Sequence, residues 1–174
     1  IKATVESIVE EAGGAKRIIF HAEELPYFRS GTFLTISIAI DGKPITRPYS
    51  IVSEPNKAYA EKNVEIIVKK KEKGFLSKYL VEKLQVGEEV LLEVGLGEFH
   101  PNPFRDKKHL VALAGGVGIT PFLSIAHDIV DNDLDYDLTI LYGSLTQDSI
   151  IAKKELEALS SDKIKVIHVI SNDP

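Results

Sequence analysis

His109-Leu-Val-Ala-Leu-Ala-Gly-Gly-Val-Gly-Ile-Thr-Pro-Phe122 decides how the C-terminal part of this chain is read. Its first six residues form a short, mostly apolar run, as a buried parallel strand requires. Three glycines follow, and then Thr120 and Pro121. Thr120 is expected to cap a helix, and Pro121 suits a first turn, where its missing N–H is harmless. The glycines let backbone N–H groups approach an anion, and the helix N-terminus adds a dipole that favours negative charge. The spacing is not G-x-G-x-x-G, and a tight turn needing glycine only for packing would look the same.

Working outward toward the C-terminus, the pattern predicts a helix over Pro121–Val130 and a strand over Leu138–Tyr142. A second helix is predicted over Ser149–Leu159, with Ile150, Leu156 and Leu159 on its apolar side, and a third strand over Lys165–Ile170. Strand, helix, strand, helix, strand is half of a Rossmann-like parallel α/β unit with right-handed crossovers. A doubly wound sheet places its first strand centrally. Ending at Pro174 would leave Leu110–Ala114 as an exposed apolar edge, so the natural chain is expected to continue.

Toward the N-terminus the rhythm is that of short strands. Lys2–Val9, Lys16–Phe20, Phe33–Ile40, Val64–Lys69 and Glu89–Val94 are β-rich runs, and another strand opens at Arg47. Asp41-Gly42 closes the Phe33–Ile40 run as a hairpin turn. The spacing predicts an antiparallel six-stranded barrel over residues 1–103, followed by the α/β unit over 104–174. One helix interrupts the strands, over Leu76–Leu84, with Gly87 beyond its end.

Composition narrows the chemistry. The 174 residues carry 21 Lys+Arg against 26 Asp+Glu, which argues against a nucleic-acid binder. No apolar run approaches the ~20 residues of a membrane span, and no signal-peptide pattern opens the chain, so a cytoplasmic protein is expected. Without cysteine there are no disulfides, thiolate zinc sites or cysteine-held iron–sulfur clusters in these residues. The five histidines show no metal-ligand spacing, and Asp131–Asp137 lacks the central Gly and closing Glu of a calcium loop, so no metal site is expected.

Two further motifs bear on anion binding. Arg47-Pro48-Tyr49-Ser50 joins a fixed-charge donor, a stacking face and a small hydroxyl. On a regular strand Arg47 and Tyr49 share one face and Ser50 points away. Lys73-Gly-Phe-Leu-Ser77 opens the short helix; in isolation it reads first as an ordinary Ser near a helix start, and alternatively as a second phosphate cradle built from Gly74 and the N–H groups around Ser77. The basic run Lys69–Lys73 reads as a solvated hairpin end.

Together the three motifs, in this order, resemble the ferredoxin–NADP reductase superfamily, most of all its bacterial oxygenase-reductase and flavohaemoglobin-reductase branch. Ser30-Gly-Thr-Phe33, Gly97-Glu-Phe99 and Tyr142-Gly-Ser-Leu-Thr146 are similar to further motifs of that family. The resemblance implies a flavin (FAD or FMN) in the barrel, NADH or NADPH on the α/β unit, and hydride transfer from nicotinamide to flavin. By the same resemblance Arg47 binds a flavin phosphate, Tyr49 lies against the isoalloxazine and Ser50 hydrogen-bonds near N5. Pro48 belongs to the same motif, Val68 and Lys69 run beside the ring, and Gly74 and Ser77 hold phosphate. Gly115, Gly116 and Gly118 receive the dinucleotide, Thr120, followed by Pro121, sits near both rings, and Ser144 touches the nucleotide's far end. Leu145 departs from the family's arginine. Ser171-Asn172-Asp173 offers no cation for a 2′-phosphate and adds a carboxylate, which favours NADH. The implied partners are NAD(P)H and an electron acceptor: an oxygenase component, an iron–sulfur protein or a small molecule. An electron-transfer subunit like that of dihydroorotate dehydrogenase is the alternative reading.

Overall fold

The computed structural model describes residues 1–172. Six antiparallel strands make up the first unit: β1 (Lys2–Glu11), β2 (Ala15–His21), β3 (Phe33–Ile40), β4 (Lys43–Ser50), β5 (Asn63–Lys69) and β6 (Glu89–Leu96). Their order is β4-β3-β6-β1-β2-β5. The outer strands β4 and β5 approach through a single bridge, Ile51 with Ile66, and a hydrogen bond from Val52 N–H to the Glu65 carbonyl at 2.9 Å. The sheet is therefore barrel-like but is not closed by continuous pairing. Alternate residues such as Val5, Ile18, Phe20, Leu34, Ile36, Ile66 and Leu92 fill its interior. Asp41 and Gly42 take φ of 50° and 73°, the double positive that a two-residue hairpin turn requires.

Two helices serve this unit. The expected one is α2 (Phe75–Glu82), which sends Leu76 and Leu80 into the barrel core. The other, α1 (Pro55–Glu61), is missing from the sequence reading. Its cap is Glu54, whose carboxylate accepts from the Asn56 and Lys57 N–H groups at 2.9 and 2.6 Å. Glutamate is an unusual N-cap, so the start signal is weak in the sequence.

The second unit pairs β7 (His109–Gly115), β8 (Asp137–Ser144) and β9 (Ile164–Ile170) in parallel, in that order. Helices α3 (Thr120–Asp131) and α4 (Lys153–Leu159) cover one face. The other face exposes Val111, Leu113, Ile167 and Val169. Two expectations are corrected here. Ile119, not Thr120, is the N-cap of α3, and the Thr120 hydroxyl instead donates to the Val117 carbonyl at 3.0 Å. The helix predicted from Ser149 begins only at Lys153. Ile150 and Ile151 are drawn into the core, and Ala152 reverses the chain with φ 56° before α4 can start. No helix of the described residues is long and apolar enough to cross a membrane.

The two units meet over a polar seam. Ser30 Oγ donates to Asp128 at 2.6 Å, and Ser124 Oγ to the Ser53 carbonyl at 2.7 Å. Gly31, at φ 90°, lies so close to the Phe99 carbonyl that a Cβ there would come within 2.2 Å. The Arg17 guanidinium reaches Glu11 and Glu65 at 2.9 Å each and bonds Glu155 of α4. His127 of α3 lies 2.7 Å from the same Glu155 and 3.5 Å from Asp131.

This seam carries a pH signature. Burial opposes protonation of His127, but Glu155 and Asp131 outweigh it and hold its pKa above the usual 6.5. Burial also opposes ionisation of Glu155, yet His127 and Arg17 hold it below the usual 4.5. A raised histidine contributes stability that is complete below its unfolded pKa and lost as pH rises through the folded one. A lowered carboxylate contributes stability lost on acidification. Stability should therefore fall on both sides of a window at about pH 5–6.5. In thermal melts taken across this range, His127→Gln should flatten the alkaline limb. An alkaline limb as steep as in the parent protein would refute the assignment.

Candidate functional site

Where β4 ends, the chain crosses toward β5, and α3 approaches from the second unit. A cavity of about 570 Å³ opens between them. The barrel side supplies Arg47, Pro48, Tyr49, Ser50, Val68, Lys69, Gly74 and Ser77, and the α/β side Gly118, Thr120 and Pro121. The Arg47–Ser50 motif stands at the end of β4 rather than at the start of a strand, as its sequence suggested. That location explains why Ser50 lines the same cavity as Arg47 and Tyr49. The regular alternation stops there, where Ile51 bridges to Ile66.

The electrostatics are one-sided. Among the described residues Arg47, Lys69 and Lys71 line the cavity and no carboxylate does, although the chain carries a net charge of −5. Arg47 is exposed, donates to the Thr46 carbonyl at 2.7 Å and has no acidic partner among the described residues. No side chain among the described residues caps α2, which leaves its first-turn N–H groups to an external anion. Ser77 Oγ accepts from the Lys71 N–H at 3.2 Å and keeps its own proton to donate. Gly74 is required by space. A Cβ there would sit 2.3 Å from Ser77 Oγ and 2.9 Å from Lys71 Cβ. Tyr49 is half-buried, and desolvation pushes its pKa up to about 12, so its ring stays neutral in any physiological buffer.

The glycine turn behaves differently. Only Gly116 has a positive φ, 52°. At Gly115, Gly116 and Gly118 a Cβ would meet nothing within 4 Å. Packing within the chain therefore does not require glycine at 115 or 118. Gly115 and Gly116 lie outside the cavity wall, at the carboxyl end of β7. Ser144 ends β8 beside them and is buried, with no hydrogen-bond partner for its hydroxyl among the described residues. Ser171 and Asn172 donate backbone hydrogen bonds to the Ser144 and Leu145 carbonyls at 3.0 and 2.9 Å. None of these four residues is cationic, and Asp173 lies outside the described residues.

Sequence reasoning overlooked Ile67, Lys71, Phe75, Leu76 and Val117, which also line the cavity. The basic run was read as solvated, yet Lys71 and the already expected Lys69 both line this site. Strand alternation beyond Val68, together with the nearby Gly74 cradle, was the available signal.

Comparisons with known proteins agree with this architecture. Residues 17–100 match the oxidoreductase FAD-binding domain, and residues 112–174 match the oxidoreductase NAD-binding domain. The glycine betaine monooxygenase reductase subunit of Chromohalobacter salexigens is 33% identical over 156 residues, covering 88% of this chain and 41% of that protein. NADH-cytochrome b5 reductase 1 of Dictyostelium discoideum is 31% identical over 148 residues, covering 83% of this chain and 50% of that protein. Ferredoxin-NADP+ reductase from Plasmodium falciparum shares the fold, with a TM-score of 0.81 at 21% identity over 99% of this chain and 74% of that one. The chain thus spans half or less of the length of these two curated relatives. With an FAD-binding domain on the barrel-like sheet and an NAD-binding domain on the parallel sheet, the chain belongs to the oxidoreductases built from these two domains, in a fold shared with ferredoxin-NADP+ reductase.

Proposed function

We propose that this protein is an NADH-dependent flavoprotein reductase, with FAD in the cavity between the two units. The observation that carries this reading is the cavity itself. It is lined by cations and an uncapped helix start on one side and by the glycine turn of an NAD-binding domain on the other. Bound FAD would accept hydride from NADH and pass electrons on to an acceptor. In this reading Arg47, Gly74 and Ser77 hold phosphate, and Val68 and Lys69 flank the ring. Tyr49 offers it a neutral face, and Ser50 a hydroxyl donor. Thr120 and Pro121 bring α3 to the point where nicotinamide and flavin meet, and Gly115, Gly116 and Gly118 admit the dinucleotide. The residues present fit such a ligand, since the cavity combines anion-binding groups with an apolar floor.

Two finer points belong to the same proposal. NADH is preferred to NADPH because Ser144, Leu145, Ser171 and Asn172 present no cation at the far end. One relative is also named as an NADH reductase. The acceptor is a protein redox partner, by analogy with relatives named for a monooxygenase and for cytochrome b5.

The test is an anaerobic visible spectrum of the full-length protein with FAD, before and after NADH. Flavin bands that bleach with NADH support the reading, and a protein that takes up no flavin overturns it. Arg47→Ala should weaken FAD binding about tenfold, the low end for an exposed charge-assisted contact. Its apo-protein should melt as the parent does, because Arg47 pairs with no carboxylate. Equal FAD affinity in the two proteins would remove Arg47 from the site.

A further inference from the structure

We propose that Tyr142 is a positioning residue whose hydroxyl sets the glycine turn for NADH, an inference that rests on the reading of that turn given above. Tyr142 is fully buried on the helix-covered face of β8, its ring 5.8 Å from that of His168. Its hydroxyl donates to the Gly116 carbonyl at 2.9 Å. One buried hydroxyl thus ties β8 to the turn after β7.

The consequence follows from peptide geometry. In a planar trans peptide the C=O and N–H point in opposite directions. Drawing the Gly116 carbonyl inward onto Tyr142 therefore turns the Val117 N–H outward, to the side an anionic ligand must approach. Val117 lines the cavity. Little else fixes this peptide. The 3₁₀ turn Gly116–Ile119 has no side-chain cap, and its glycines have no neighbours near their Cβ positions. Tyr142 is not among the residues that line the cavity, so it acts through the turn it tethers at Gly116.

Tyr142→Phe removes the tether and keeps the packed ring. In the full-length flavin-loaded protein, KM for NADH should rise about fivefold to tenfold while kcat changes less than twofold. Flavin content and reduction by dithionite should match the parent. Hydrogen exchange at the Val117 amide should be faster. An unchanged KM with unchanged exchange overturns the proposal. So does a variant that unfolds or sheds its flavin, because the hydroxyl would then hold the domain rather than the turn. A parent protein that dithionite reduces but NADH does not is a separate result. It defeats the reading of the glycine turn itself and needs no variant.

Discussion

Replacing Arg17 with methionine should cost about 3–5 kcal/mol of stability, the range seen when one partner of a buried ion pair is removed. The side chain is 15% exposed, and the three carboxylates it serves, Glu11, Glu65 and Glu155, are 15%, 29% and 22% exposed. Burial opposes its charge, yet Glu155 and Glu65 hold the guanidinium even more firmly protonated than usual. Methionine keeps most of the volume and leaves three acidic groups facing one another without a cation. Lysine should rescue little, since a point charge does not reproduce a fork that donates in three directions. Chemical denaturation of the parent, Arg17→Met and Arg17→Lys measures the effect. A loss below about 1 kcal/mol would mean that these pairs behave as ordinary surface bridges. The seam also joins the two walls of the ligand cavity. Reduction by NADH should therefore slow in Arg17→Met even under conditions where the variant remains folded.

Gly118→Val should do the reverse, sparing the fold and abolishing the reaction. A Cβ at 118 meets no atom of the chain within 4 Å, and Gly118 has no positive φ. The melting temperature should stay within about 2 °C of the parent, a shift of about 0.5–1 kcal/mol at most for a chain of this size. The added side chain stands in the cavity wall beside Thr120 and Pro121, where the proposed reaction brings nicotinamide and flavin together. Displacing one reactant by about 1 Å is enough for a hundredfold loss, so reduction by NADH should slow by at least that factor. Stopped-flow reduction and a thermal melt on the same sample decide the point. A destabilised protein, or one that NADH still reduces at the parent's rate, would return Gly118 to the role of a packing glycine.

The sequence was most informative where periodicity and turn chemistry agree. Asp41-Gly42 and the Phe33–Ile40 run before it specify β3 and the turn that follows, and His109–Ala114 matches β7 to within one residue. The helices were less legible. Glu54 caps α1 without the residue type that normally announces a cap, and Ile150-Ile151 mimics the start of α4 while being pulled into the core. For the candidate site, Arg47, Gly74 and Gly118 stand out by residue type and order. Tyr142 does not. In the sequence it is read only as the last residue of a strand and the first of the Tyr142–Thr146 motif, and only the packing of β7 against β8 brings its hydroxyl beneath Gly116.

The position of β6 between β3 and β1 has a consequence for how the protein is made. Lys2 pairs with Leu91, and Leu92 pairs with Ile36, so the barrel-like sheet has no middle until residue 96 has left the ribosome. At ~5–20 residues per second, β1 and the β3–β4 hairpin wait several seconds with unpaired edges. Such long-range pairing folds slowly and exposes strand edges to association in the meantime. Only once β6 inserts can the first unit present the wall against which α3 docks. Ribosome-stalled chains released just before and just after residue 96 should accordingly differ sharply in protease resistance, with the longer chains resistant over the β1–β5 segment.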